Sequence, residues 1–163
     1  MKTKKIAFLS MCISLSMILS FVESQIPPLM AVQGVKMGLP NIVMVFMLYK
    51  IGAKETAIVS IIRVILVSLL FYIPSLPYSL AGAVLSLVGM ILLKKFTKYS
   101  MIVVSVAGGI LHNIGQIVVA CIVMETPQIA YYLPVLFISG TIAGILIGLT
   151  AAMILKRLDK MKL

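Results

Sequence analysis

The stretch Glu23-Ser24-Gln25-Ile26-Pro27-Pro28-Leu29-Met30-Ala31-Val32-Gln33-Gly34-Val35-Lys36-Met37-Gly38-Leu39-Pro40-Asn41 separates two apolar runs that would otherwise fuse into one. It holds three of the seven prolines, two glycines, a carboxylate, a lysine and an asparagine. Backbone polar groups cannot face lipid without hydrogen-bond partners, so an irregular segment at the membrane edge needs protein around it. Two readings follow: the segment folds back over a cavity and binds something there, or it is a plain turn between two helices. The apolar run behind it, Leu39 to Tyr49, is too short to cross ~30 Å of hydrocarbon as a straight helix at ~1.5 Å per residue. Part of the loop is therefore expected at membrane depth. Pro40 suits the first turn of a helix, where its missing N–H costs nothing. Asn41 then lies just inside a helix N-terminus whose free N–H groups and positive dipole end face the loop.

Working outward, the rest of the chain is equally apolar. Of 163 residues, 62% are apolar and only 11% charged, and the mean hydropathy is +1.21. That composition belongs to polytopic membrane proteins and not to soluble domains. The length supplies about six membrane helices of ~20 residues each, packed as a single domain over 1–163. The expected helices run at about 6–22, 39–49, 53–72, 78–93, 100–124 and 131–155, with the loop 23–41 between the first two. The fold class is an all-α integral membrane bundle of six transmembrane helices.

The first run raises a question of its own. Lys2, Lys4 and Lys5 ahead of Ile6 to Val22 are laid out like a secretory signal peptide as well as a first membrane helix. Phe21-Val22-Glu23-Ser24-Gln25 offers no small-x-small cleavage site, so the segment is read as the first helix. Ala7, Ser10, Ser14, Ser16 and Ser20 give it small residues that let a neighbouring helix approach closely. On the last helix Gly140, Gly144 and Gly148 form a tandem GxxxG face, open to a partner within the chain or to a second copy.

A net charge of +10 raises the question of nucleic acid, but no basic patch with interleaved aromatics exists, and no nucleic-acid partner is expected. The basic residues sit at helix ends instead. With the N-terminus inside, the inner face receives Lys2, Lys4, Lys5, Lys50, Lys54, Lys94, Lys95, Lys98, Lys156, Arg157, Lys160 and Lys162, and the outer face only Lys36. Because cytoplasmic loops retain Lys and Arg, both termini are expected inside a multi-pass protein of the cytoplasmic membrane. All seven prolines fall on the outer side under the same assignment, so the irregular half faces outward. Cys12 and Cys121 are placed near opposite faces, too far apart to bridge, and are read as buried apolar side chains.

Few residues can carry chemistry. Arg63 lies about nine residues, or ~13 Å, from the inner end of its helix, where an arginine costs roughly 2.5 to 3.5 kcal/mol even on lenient scales. It must be paired or line a wet cavity: either it binds the anionic or carbonyl group of a ligand, or it bonds to carbonyls of a neighbouring helix. His112 and Gln116, four apart, share a helix face, with Asn113 about 100° around. They lie at a depth comparable with Arg63, and serve either as a ligand site or as hydrogen-bond glue between helices. One histidine without a second or a nearby carboxylate is a poor metal site. No acid pair, nucleophile–base arrangement or phosphate loop appears, so neither an enzyme nor a bound cofactor is expected. The candidate substrate contacts are Glu23, Gly34, Lys36, Gly38, Asn41, Arg63, His112, Asn113 and Gln116.

Several pieces taken together resemble a known family: Glu23-Ser24 with Ile26-Pro27-Pro28, Gly34-Val35-Lys36-Met37-Gly38-Leu39-Pro40-Asn41-Ile42, Arg63, Ser79-Leu80-Ala81-Gly82, His112-Asn113-Ile114-Gly115-Gln116 and Tyr131-Tyr132-Leu133-Pro134. They are similar, in order and over nearly the whole chain, to the Gx transporter family, whose members are often described as heptaprenyl diphosphate synthase component I. That family is similar in size and layout to the S components of energy-coupling factor (ECF) transporters, six-helix subunits that capture vitamin-like substrates from outside. The resemblance implies a small-molecule substrate closed over by the first long loop. It also implies docking of a transmembrane coupling subunit, and through it ATPases, on Ala7, Ser10 and Ser14, where serines replace the usual alanines. The synthase description implies instead a non-catalytic membrane partner of a soluble prenyl diphosphate synthase in quinone side-chain synthesis, or an accessory of flavin-linked electron transfer.

Overall fold

The computed structural model describes residues 2–25 and 38–160, which form six α-helices: α1 (Lys2–Gln25), α2 (Asn41–Lys50), α3 (Ala53–Phe71), α4 (Leu76–Phe96), α5 (Met101–Val123) and α6 (Leu133–Lys160). Short 3-10 turns at Ile73–Ser75 and Pro127–Tyr132 lead into α4 and α6. Local chemistry sets these bounds. Pro74, Pro77 and Pro127 each stand in the first turn of their element, where a missing N–H is harmless. The Ser100 hydroxyl accepts the Val103 N–H at 3.4 Å and caps α5.

Four segments are long and apolar enough to cross a membrane: Thr3–Gln25, Ile73–Phe96, Met101–Val123 and Pro127–Asp159. The chain is thus an all-helical, multi-pass membrane protein, but its helices are not six equal spans. Helix α3 carries Lys54, Glu55 and Arg63 within its 19 residues. Helix α2 has only 10 residues, and all of Val43, Met44, Val45, Phe46, Met47 and Leu48 are buried. A helix apolar on every side and buried on every side belongs to the interior. It packs on α3 and α6, with a smaller contact to α1. Around it Cys12, Val59, Leu87, Met90, Val104, Ile147 and Ala151 bring all five other helices into one core.

The most extensive helix contacts are those of α5 with α4 and with α6, and glycine makes them possible. A Cβ at Gly144 would stand 2.5 Å from the Val106 Cα, one at Gly109 2.6 Å from the Gly140 carbonyl oxygen, and one at Gly82 2.8 Å from the His112 carbonyl oxygen. The tandem glycine face of α6 is therefore occupied by α5 of the same chain. Cys121 is half-buried with its thiol 4.0 Å from the Pro127 carbonyl, not fully buried as expected, because it lies near the end of α5. Cys12 is buried, and both thiols are free.

The charged helix ends gather at one end of the bundle. Lys5 pairs with Glu55 and Lys50 with Asp159, each at 2.5 Å. Lys94 donates to the Leu48 carbonyl at 2.5 Å and lies 4.7 Å over the Tyr49 ring. These contacts bring together the starts of α1 and α3 and the ends of α2, α4 and α6. At the opposite end Phe21 and Phe71 stack with ring centroids 6.0 Å apart.

Candidate functional site

Depth follows from counting residues away from the charged end. Asn41 opens α2, and Arg63, Ser86 and His112 lie on α3, α4 and α5; each is roughly nine to eleven residues from the charged end of its helix, or ~15 Å. Four helices thus present a polar side chain at one level. The four residues line a single small cavity with Ser60, Met44, Ala83, Leu87 and Met90, with room for about one water molecule.

Arg63 dominates this site. It is 7% exposed, and its Nη2 donates to the Asn41 Oδ1 over a long 3.5 Å. Its Nε is buried and has no hydrogen-bond partner among the described residues. A carboxylate is connected to it, that of Glu23 at the end of α1. Glu23 reaches the site through the backbone: its Oε1 accepts the Gly38 N–H, and the Gly38 carbonyl accepts the Asn41 N–H at 2.8 Å. Gly38 has φ +73, a left-handed conformation that glycine adopts at little cost, and Ile147 would crowd a Cβ there at 3.1 Å. Glu23 and Gly38 are thus held together beside Asn41.

The remaining candidates divide. His112 is among the residues lining the cavity, and Gln116 on the same face lies against Gly82, where a Cβ would meet its Cγ at 3.0 Å; Gln116 is outside the cavity lining. Asn113 turns away altogether: its Nδ2 donates to the Leu136 carbonyl at 2.7 Å and ties α5 to α6, the glue alternative. The free N–H groups expected at the start of α2 are taken up. Those of Asn41, Ile42 and Val43 donate to the carbonyls of Gly38, Leu39 and Pro40 at 2.8, 3.1 and 3.2 Å, because the chain enters α2 through a tight turn. The donors at this end of α2 are thus bonded within the chain, that of Gly38 by the Glu23 carboxylate. Gly34 and Lys36 lie outside the described residues. Among the described residues no three His, Cys, Asp or Glu side chains are grouped for a metal.

Ser60 and Ser86 were missed by sequence reasoning. The available signals were positional: Ser60 precedes Arg63 by three residues, and Ala83, Ser86, Leu87 and Met90 repeat at helical spacing on one face of α4. On α1, Ala7, Ser10 and Ser14 are exposed, whereas Ser16 is fully buried.

A family model described as heptaprenyl diphosphate synthase component I matches residues 12–154. Comparisons with curated proteins and with solved structures gave no match.

Proposed function

We propose, from the premise that the chain belongs to the heptaprenyl diphosphate synthase component I family, that it is a membrane subunit that captures a small molecule, in the manner of an ECF S component. The observation that carries this reading is Arg63: a cation held at mid-depth, with Nε unpartnered, against a cavity that four helices line with polar groups. Such a group costs stability without a ligand and is repaid when an acceptor arrives. The ligand is a vitamin-like molecule or a precursor of isoprenoid or quinone type, and it enters from outside past Glu23 and Gly38. The chain lies in the cytoplasmic membrane with both termini inside, six helices forming the bundle. Ala7, Ser10 and Ser14, exposed on α1, form the docking stripe for a coupling subunit and its ATPases. The protein itself is not a catalyst: its four acidic residues, Glu23, Glu55, Glu125 and Asp159, stand at helix ends and not as the carboxylate clusters that hold metal-bound diphosphates.

The family description favours a second reading, a non-catalytic membrane component that binds a soluble prenyl diphosphate synthase. Native mass spectrometry of the purified protein separates the two. Capture predicts a small molecule retained by the wild type and lost in Arg63→Ala. A wild type that retains nothing, yet forms a stable complex with a soluble prenyl diphosphate synthase, establishes the accessory role and overturns capture.

A further inference from the structure

We propose that the Arg63 cavity takes a ligand presenting a single planar carboxylate, and that Glu23 excludes more highly charged heads such as diphosphates. The inference rests on the capture reading above and names its ligand class. A guanidinium offers donors in a fixed fork, and its Nε and Nη2 share one edge that matches the two oxygens of a carboxylate. In this site that edge is the underused one. Among the described residues Nε has no partner, and Nη2 has only the 3.5 Å contact to Asn41, at the long limit for a hydrogen bond. A carboxylate displaces that contact and takes both donors at once. Ser60 and Ser86 flank the head; because the cavity has room for about one water molecule, the remainder of the ligand enters by displacing the flexible side chains of Met44 and Met90.

Charge decides the exclusion. Among the described residues Arg63 is the charged side chain lining the cavity and His112 the other titratable one, while Glu23 stands outside the lining. Glu23 is linked to the guanidinium through Gly38 and Asn41. With Arg63 and Glu23 both charged the site sums to zero, so a singly charged head adds one uncompensated negative charge. A diphosphate brings several negative charges against one cation that Glu23 already partly offsets, in an interior where uncompensated charge is costly.

The test is calorimetric titration of the full chain in lipid nanodiscs with two probes that share a carbon skeleton, 3-methylbut-2-enoate and dimethylallyl diphosphate. The wild type should bind the carboxylate at least ~10-fold more tightly than the diphosphate. Glu23→Gln keeps an acceptor for the Gly38 N–H but not the charge, and should tighten the diphosphate by about 10-fold and narrow the gap. Arg63→Lys keeps the charge but not the two-donor edge, and should weaken the carboxylate by about 10-fold without helping the diphosphate. Equal or tighter binding of the diphosphate by the wild type, unchanged discrimination in Glu23→Gln, or binding of neither probe overturns the proposal. Tight diphosphate binding that is lost in Arg63→Ala leaves capture standing. Absence of any bound probe, together with no ligand retained in native mass spectrometry, removes both.

Discussion

Arg63 and Asn113 are both polar residues inside apolar helices, yet they do opposite work. Asn113 is satisfied, giving its amide hydrogen to the Leu136 carbonyl at 2.7 Å; Arg63 is not, since its Nε finds no acceptor among the described residues. Asn113→Ala should therefore lower stability in detergent by ~1 kcal/mol, the usual value of a hydrogen bond between membrane helices, and leave ligand retention unchanged. Thermal unfolding checks the first outcome and native mass spectrometry the second. Residue type signalled Arg63 and His112 because each interrupts an apolar run, and the expense of burying them demands a reason. Ser60 and Ser86 gave no such signal. A serine hydroxyl bonds readily to its own helix backbone, as Ser14 does to the Ser10 carbonyl at 3.0 Å, so serines are cheap anywhere and mark no particular face.

Among the elements, α2 does most to place the site. Had it been long enough to span, Asn41 would lie at the membrane surface, far from Arg63. At 10 residues it reaches only ~15 Å from the charged end, which sets Asn41 level with the guanidinium. Its shortness was legible from the proline and glycine pattern; the burial of residues 43–48 was not, because an apolar helix in lipid reads the same whether it faces protein or hydrocarbon. The glycines of α6 illustrate the same ambiguity. A GxxxG stripe announces close packing without naming the partner, and here the partner is α5. Gly144→Ala, with its Cβ 2.5 Å from the Val106 Cα, should cost ~1 to 3 kcal/mol by overpacking. The oligomeric state measured by light scattering should stay the same, whereas a loss of self-association would place the stripe between copies.

For the whole molecule, the organising feature is the gathering of basic residues at one end, held by Lys5–Glu55 and Lys50–Asp159. Those exposed pairs are worth little individually, at most ~1 kcal/mol each; their significance is orientation. In a variant lacking Cys12 and Cys121, a cysteine at Lys98 should react with impermeant reagents only from inside the cell, and one at Glu125 only from outside. The reverse pattern inverts the molecule and closes the cavity's route to the exterior. By itself the sequence determined that the chain is helical, dissolved in lipid and charged at one end, because hydropathy and charge are sums that the solvent reads residue by residue. Which polar groups meet was decided only by the tertiary structure. Neighbouring positions on a helix differ by about 100°, so the packing of α5 sends His112 toward Arg63 and Asn113 toward α6, and no property of either side chain alone dictates that rotation.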